Sequence, residues 1–314
     1  MSARHIMPYT NLDGIRRVSS SLDVLRWMMG LHDEKRPRSP GTGVPVPTVQ
    51  NDGAALRMAA HDALTWIGHA SFLVQLGGTS ALIDPVMSPR IAGFIQRNIA
   101  PGLSWQALPK IDVVLVTHNH RDHMDAPTLE RLGPDPLYLV PQGLGKWFER
   151  AGLTRVVEMG WWQQEDVGGL VITFVPAEHW SRRGLFDTNE SWWGGYVIEH
   201  DGLRVFHSGD TAWFDGFSAI HRRCGHIDAA MLPIGAYAPR WFMQRQHMDP
   251  ADAVRAFHAL DATRFIAMHW GTFKLTDEDL REPPRLLNEV WAQEKLSRKR
   301  LEIPAIGETL SLEH

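Results

Sequence analysis

The chain has 314 residues, of which 44% are hydrophobic, enough to build a sizeable core in one globular unit. Its formal net charge of -4 argues against a nucleic-acid partner, because nucleic-acid-binding domains normally carry a strong basic excess. The single cysteine, Cys224, excludes an internal disulfide and a thiolate-based metal site, so any metal must be held by histidine and carboxylate ligands.

Residues 1–55 are predicted to form an N-terminal extension. The run RPRSPGTGVPVP (36–47) is too rich in proline and glycine for regular structure. Before it, hydrophobic residues recur at helical spacing in SSLDVLRWMMGL, where Ser20 or Ser21 can cap a short helix and Gly30 can end it. The extension therefore contains one short amphipathic helix followed by a loop.

The hydrophobic face of this helix has two open roles. It consists of Leu22, Leu25, Met28 and Met29. It can pack on the domain surface, or it can make peripheral contact with a lipid membrane, which the nearby Trp27, Arg16, Arg17 and Arg26 would favour. No secretory signal is recognisable, and no run approaches the roughly 20 hydrophobic residues of a membrane span. We expect a cytoplasmic protein.

Residues 56–311 are predicted to form the main domain. Short aliphatic runs separated by glycine and proline predict strands at ALTWIG, SFLVQL, SALID, DVVLVTH and LYLVP, with helices at APTLERLG and GLGKWFERAGL. The second half continues with GLVITFVP, a hairpin turning at Asp201-Gly202, the strands DAAMLP and RFIAMH, and the helix DPADAVRAFHAL. This alternation predicts two packed sheets with helices outside, a four-layer α/β sandwich. Residues 312–314 (LEH) are predicted to be a tag remnant.

Four of the predicted strands end in residues that can bind a metal. The strand ends are followed by His118, by Glu178 and His179, by Ser208-Gly209-Asp210, and by His269. Loops at the same edge of a sandwich converge in space, so ligands that are far apart in sequence can meet there.

The densest of these clusters is VTHNHRDHMD, in which His-x-His-x-Asp-His follows a hydrophobic strand directly. His118 and His120 are two residues apart, so in an extended segment both rings point the same way, while Asp122 and His123 follow where the chain should turn into a helix. A catalytic zinc ion takes four to five ligands including water, so seven candidates suit two ions. We assign His118, His120 and His179 to the first, Asp122, His123 and His269 to the second, and Asp210 as the bridge. Zinc is expected, with manganese or iron as alternatives.

Longer segments resemble a known family. WIGHASFLV, HNHRDHMD, HWSRRGLFDTNESWWGGY, SGDT, PIGAYAPRWFMQRQHMDPADAV and MHWGTF are similar to the metallo-β-lactamase superfamily, and within it to the N-acyl-phosphatidylethanolamine-hydrolysing phospholipases D. The resemblance covers roughly residues 60 to 290. It implies an αβ/βα sandwich of the metallo-β-lactamase type with a dinuclear zinc site that uses the ligands assigned above.

The resemblance implies a metal-dependent hydrolase, a phosphodiesterase of phospholipase D type that cleaves N-acyl-phosphatidylethanolamine-like lipids with a metal-bridging hydroxide. No serine or cysteine nucleophile is then needed. An alternative is a lactonase or other acyl hydrolase of the same fold, because the same nucleophile attacks a carbonyl carbon equally well. A metal-binding protein without turnover is a third reading, and the complete ligand set disfavours it.

Further residues near these motifs are predicted to act on the substrate. Catalytic roles are assigned to Asp122, Asp210 and His247, and substrate contacts to Arg121, Arg183, Tyr237 and Gln246. Arg121 stands where we expect a tyrosine in the mammalian enzyme, so the mammalian lipid specificity does not transfer directly. Asp84 either orients a ligand histidine or forms a turn before Pro85. The substrate is a small molecule or a phospholipid, and the oligomeric state stays open, with a homodimer compatible.

Overall fold

The structure is a computed structural model that describes residues 9–34, 36–58 and 62–313. Residues 1–8 and 35 of the predicted extension lie outside this part of the chain, as do residues 59–61 and residue 314 of the predicted tag remnant.

The described residues form strands and helices that alternate along the chain. The strands are β1 (Ala63–Gly68), β2 (Ser71–Leu76), β3 (Thr79–Ile83), β4 (Arg90–Ile91), β5 (Ile95–Gln96), β6 (Val113–Leu115), β7 (Leu137–Pro141), β8 (Val156–Met159), β9 (Gln164–Val167), β10 (Leu170–Pro176), β11 (Gly194–His200), β12 (Leu203–His207), β13 (Ile227–Pro233), β14 (Ala262–Met268), β15 (Leu301–Glu302) and β16 (Thr309–Ser311). The helices are α1 (Ser21–Met28), α2 (Ala54–Arg57), α3 (Ala126–Leu132), α4 (Gly145–Arg150), α5 (Gly216–Cys224), α6 (Arg240–Met243), α7 (Pro250–Ala259) and α8 (Glu282–Gln293), with a 3₁₀ turn at Arg298–Arg300.

Two seven-stranded sheets form the centre of the molecule. The first has the order β16-β1-β2-β3-β6-β7-β8, and the second has the order β15-β14-β13-β12-β11-β10-β9. Within the first sheet β3, β6 and β7 are parallel, and within the second β12, β13 and β14 are parallel. The carboxyl ends of parallel neighbours lie at the same edge of a sheet, and this edge carries the site described below.

The alternation of hydrophobic residues along the strands separates the two faces of the first sheet. Trp66, Phe72 and Val74 belong to the core that also contains Phe174 and Tyr196 of the second sheet. Their sequence neighbours Ile67 and Leu73 instead pack on the other face, with Leu82 of β3, Leu129 of α3 and Phe148 of α4. Side chains alternate between faces along a strand, so both faces are covered. The helices α5, α7 and α8 add Phe217, Phe257 and Trp291 to the core around the second sheet.

These layers confirm the predicted four-layer αβ/βα sandwich. Among residues 9–34, 36–58 and 62–313, no helix has both the length and the hydrophobicity that crossing a bilayer requires. Leu312, which the sequence analysis placed in the tag remnant, is buried, and its backbone N–H donates to Asp62 O.

The predicted amphipathic helix is confirmed as α1, with Ser20 as its N-cap. Its hydrophobic stripe does not pack on the domain: Leu22, Leu25, Met28 and Met29 are all more than half exposed. The helix is attached through Trp27 instead. That indole stacks on Phe242 with ring centroids 5.1 Å apart and donates to the carboxylate of Asp277. The helix therefore lies on the domain surface through Trp27, while its hydrophobic stripe stays exposed.

Candidate metal centre

Histidines and aspartates from both sheets meet at one edge of the sandwich. Each lies at or shortly after the carboxyl end of a strand: His69 after β1, Asp84 after β3, His118 after β6, His179 after β10, Asp210 after β12 and His269 after β14. His69, Asp84 and His269 have positive φ angles of 55°, 42° and 63°. Non-glycine residues adopt this conformation rarely, and it recurs at functional sites, where the surrounding structure enforces it.

Three imidazoles form the first group. His118 Nε2 lies 2.9 Å from His120 Nδ1, and His179 Nε2 lies 3.2 Å from the same atom. The chain turns through residues 121–124 before α3 begins. His120 lies just before this turn, and its ring faces that of His118. The three nitrogens therefore converge on one point.

A second group lies beside the first. His123 Nε2 is 3.4 Å from His269 Nε2, and Asp122 Oδ2 is 3.8 Å from each of these nitrogens. The ring centroids of His118 and His123 are 4.2 Å apart, which shows how close the two groups are.

The carboxylate of Asp210 lies between the two groups. Its Oδ2 is 3.2 Å from His123 Nε2 and 4.0 Å from His179 Nε2, while its Oδ1 is 3.1 Å from His269 Nε2. It is the only described carboxylate within 4.0 Å of ring nitrogens from both groups. Its position is the one that a shared ligand would need.

The spacing of these atoms fits metal ions. Ligand atoms about 2.0–2.1 Å from one tetrahedral ion lie roughly 3.3 Å from one another. The distances within the first group, 2.9 and 3.2 Å, and between the nitrogens of the second, 3.4 Å, agree with this value. Two ring nitrogens of neutral imidazoles facing each other without a proton between them repel, and a cation would remove that repulsion. The cluster is therefore able to bind metal.

Asp84 supports both groups from below. It accepts hydrogen bonds from Thr117 N at 2.8 Å, from Thr117 Oγ1 at 2.6 Å and from His123 Nδ1 at 2.7 Å. Thr117 Oγ1 in turn lies 3.0 Å from His118 Nδ1. Asp84 thus contacts one histidine of the second group directly and one of the first group through a threonine, which is the geometry that an orienting carboxylate needs.

His69 belongs to the cluster but was not among the residues predicted from the sequence. Its Nε2 lies 3.1 Å from Asp122 Oδ2, and its ring centroid lies 3.9 Å from that of His269. Its backbone oxygen also accepts from His269 N. The signal was present, because His69 follows the strand ALTWIG in the same way that the other candidates follow theirs. As a single histidine before a tight turn it does not stand out among sixteen.

Of the residues predicted to act on the substrate, some lie beside the cluster and others have side chains directed away from it. His247 faces the cluster, with Nδ1 3.8 Å from Asp210 Oδ2. Arg121 is exposed beside the metal-binding turn, whereas Arg183 donates to the backbone oxygens of Asn119 and Met124 and holds that turn. Two others point elsewhere. The hydroxyl of Tyr237 donates to Glu282, and the amide nitrogen of Gln246 donates to Arg17 O and to Ser19 Oγ.

Burial and charge divide the histidines into two kinds. Burial lowers the pKa of His120 and His247 to about 4, and burial together with neighbouring imidazoles lowers the pKa values of His118 and His179 well below their usual value. Burial acts in the same direction on His269, but the charge of Asp210 and the hydrogen bonds to Asp122 and Asp210 together outweigh it and raise the pKa of His269 to about 9. The first group is thus held neutral, as metal binding requires.

This division predicts acid sensitivity of the chelator-treated protein. The folded pKa values of His120 and His247 lie below the value of about 6.5 for an unfolded histidine. The unfolded state therefore binds more protons between about pH 6.5 and 4, and stability that is full above this window is lost as the pH falls through it. His269 is protonated in both states there and does not contribute.

We expect the melting temperature of the metal-free protein to drop by at least ~5 °C between about pH 6.5 and 4.5, measured by circular dichroism. Replacing His247 with Asn should reduce this dependence, and the part that is due to His120 should remain. An unchanged slope in that variant would mean that His247 titrates normally in the folded protein.

The fold and the cluster together define a class of protein: a metal-dependent hydrolase of the metallo-β-lactamase fold. The family model described as "Beta-lactamase superfamily domain" matches residues 79–270, and the chain belongs to this superfamily.

Similar proteins indicate where in this superfamily the chain belongs. The chain is 36% identical over 245 residues to N-acyl-phosphatidylethanolamine-hydrolyzing phospholipase D 1 of Caenorhabditis elegans, covering 72% of this chain and 68% of that protein. It is 33% identical to the mitochondrial N-acyl-phosphatidylethanolamine-hydrolyzing phospholipase D of Saccharomyces cerevisiae, covering 84% of this chain and 58% of that one. The structure of Igni18, a metallo hydrolase of Ignicoccus hospitalis, matches with a TM-score of 0.60 at 22% identity, covering 81% of this chain and 100% of that one. The resemblance drawn from the motifs is confirmed.

Proposed function

We propose that this chain is a phosphodiesterase of phospholipase D type that binds two metal ions and hydrolyses lipids of the N-acyl-phosphatidylethanolamine kind. The single observation that carries the proposal is the position of Asp210, whose two oxygens lie within reach of ring nitrogens from both histidine groups. Two adjacent ions sharing one carboxylate are the usual arrangement for in-line displacement at phosphorus. The names of the worm and yeast relatives supply the substrate class.

In this proposal His118, His120 and His179 would hold the first ion, Asp122, His123 and His269 would hold the second, and Asp210 would be shared by both. Zinc fits the nitrogen-rich ligand set, and manganese or iron are the alternatives. When bound, the two ions supply Lewis acidity and lower the pKa of a water molecule, so that hydroxide forms near neutral pH.

The protein's own groups orient the reactants. The free oxygen of Asp122, or the carboxylate of Asp210, can accept a hydrogen bond from the attacking water and align it with phosphorus. His247 lies 3.8 Å from Asp210, and its Nδ1 has no hydrogen-bond partner among the described residues. With its pKa lowered to about 4 by burial, its ring is neutral at pH 7 and can donate its N–H to a phosphoryl oxygen or to the leaving group. The exposed Arg121 is placed to attract an anionic headgroup.

The test is turnover by purified protein whose metal content is measured by elemental analysis. N-acyl-phosphatidylethanolamine, bis-p-nitrophenyl phosphate and a panel of lactones are compared under the same conditions. Two metals per chain with lipid phosphodiesterase turnover is the expected result. Two metals per chain with turnover of lactones only would indicate an acyl hydrolase instead. A chain that binds no stoichiometric metal would contradict the proposed mechanism.

A lipid substrate gives the exposed stripe of α1 a role in peripheral membrane contact. The side chains of the stripe are more than half exposed, and Arg26 at the end of the same helix stacks over Trp241 instead of pairing with an acid. Amphipathic helices of this kind lie in the interface of a bilayer with the hydrophobic face inward. Anchoring through Trp27 holds α1 next to α6, a few residues before His247.

We expect the double variant Leu25→Ser, Met28→Ser to bind vesicles of mixed phosphatidylcholine and phosphatidylglycerol at least about tenfold more weakly, because burial of each such side chain is worth roughly 1.5–3 kcal/mol. Vesicle sedimentation measures the effect. The control pair Val49→Ser, Met58→Ser removes exposed hydrophobic side chains elsewhere on the surface. Equal binding by both pairs would discard the role of α1.

A further inference from the structure

The side chain of Asn11 is buried against the backbone of His179, 168 residues away in the sequence. Its Nδ2 donates to His179 O at 3.0 Å, and its Oδ1 accepts from His179 N at 3.1 Å. The amide therefore hydrogen-bonds to both the backbone N–H and the backbone carbonyl of His179. Such a paired contact fixes the position and the tilt of a residue that has already left its strand.

The remaining hydrogen-bonding capacity of Asn11 is also used. Its Nδ2 donates to Ile15 O at 3.1 Å, and its Oδ1 accepts from Trp193 Nε1 at 2.9 Å. An asparagine amide offers two donors and two acceptor positions, so this side chain is saturated. Aspartate cannot donate to the two carbonyls, and glutamine is one methylene longer. The site therefore specifies asparagine.

The same N-terminal segment reaches the ring of His179 through Gln246. His179 Nδ1 lies 2.9 Å from Gln246 O, which fixes the ring with Nε2 toward His120. The side chain of Gln246 is held in turn by Arg17 O at 2.7 Å and by Ser19 Oγ at 2.9 Å. Arg17 also pairs with Glu178, the residue before His179. Residues 11–19 thus hold the backbone of His179 directly and its ring through Gln246.

We infer that Asn11 is a positioning residue for metal binding, which aims His179 at the first metal position. The inference rests on the ligand assignment of the proposed function and deepens it, because it makes the N-terminal segment part of the metal site. Outer partners that orient a ligand typically contribute 10–100-fold to metal affinity. Asn11 differs from most of them in acting on the ligand's backbone from a distant segment.

The test measures the affinity of each metal position in the full-length protein by competition with a chromophoric zinc chelator. In Asn11→Ala, and in Asn11→Asp, which keeps the acceptor but loses the donor, we expect one of the two affinities to fall by about 10–100-fold while the other changes little. Cobalt substitution gives an independent readout, because the visible spectrum reports the ligand geometry at each position.

Asn189→Ala is the matched control. Asn189 is buried, accepts from Ser181 N and donates to Tyr9 O, so it also ties the N-terminal segment to this loop, but none of its described hydrogen bonds reaches a histidine of the cluster. It should lower the melting temperature and leave both zinc affinities unchanged. Two unchanged affinities in folded Asn11→Asp, or a loss shared by Asn189→Ala, would overturn the inference. None of these readouts depends on the substrate, so failure of the proposed lipid activity leaves the test intact.

Discussion

Replacing Asp210 with Asn is expected to remove metal and activity together. The substitution keeps the size of the side chain, but it removes the negative charge that lies 3.2 Å from His123 Nε2 and 3.1 Å from His269 Nε2. Because an amide nitrogen cannot act as a second bridging ligand, zinc content should fall from the two per chain that we propose to one or less. Phosphodiesterase turnover should fall by more than about a hundredfold. Loss of a residue that only orients a ligand already costs up to about a hundredfold, and loss of the ligand itself should cost more.

The control for this variant is Asp249→Asn. Asp249 caps α7 by accepting from Asp252 N, and asparagine caps helices equally well, so stability, zinc content and turnover should all stay close to wild type. Elemental analysis after dialysis and turnover of bis-p-nitrophenyl phosphate are measured on both variants. Full zinc content with full turnover in Asp210→Asn would falsify the bridging role.

The same carboxylate explains why the second group differs from the first in charge. Burial alone would lower the pKa of His123, but Asp210 and Asp84 raise it well above its usual value. Conversely, burial would raise the pKa of Asp210, and His123 and His269 hold it well below its usual range. Metal binding at this group must therefore displace protons from the histidines, so its affinity should rise with pH through the neutral range.

The sequence predicted those parts of the site that follow a local rule. The hydrophobic runs define the strands, and a polar residue directly after a strand must lie at the sheet edge, so the sequence alone locates His118, His179, Asp210 and His269. Asp84 follows the same rule, and it lies where an orienting carboxylate was considered. These positions follow from two local features alone, the hydrophobic pattern of each strand and the residue at which the strand ends.

Contacts set by tertiary packing could not be predicted in this way. Asn11 lies in an irregular segment, and nothing in its neighbourhood indicates that it meets His179. Gln246 was expected to face the substrate, but its backbone oxygen serves the site while its side chain turns to Arg17 and Ser19. The exposed stripe of α1 is a similar case, because helical spacing identifies a hydrophobic face and leaves open what covers it.

Asp84→Asn is expected to weaken metal binding. All three groups around Asp84 are donors: Thr117 N, Thr117 Oγ1 and His123 Nδ1. An asparagine must turn its NH₂ toward at least one of them. If it faces His123, the proton of that ring moves to Nε2, the nitrogen that faces the second group, and the lone pair needed for a metal is lost. If it faces Thr117, the backbone that carries His118 is displaced.

We expect zinc affinity to fall by about 10–100-fold at the second position and turnover to fall with it, because the orienting partner of a ligand histidine is lost. Chelator competition and bis-p-nitrophenyl phosphate hydrolysis measure the two effects. Backbone strain is not the cause, since Asp84 has φ 42° and asparagine adopts positive φ as readily as aspartate. The conservative change therefore isolates the hydrogen bonds. Wild-type zinc affinity at both positions would show that the two histidines are oriented without Asp84.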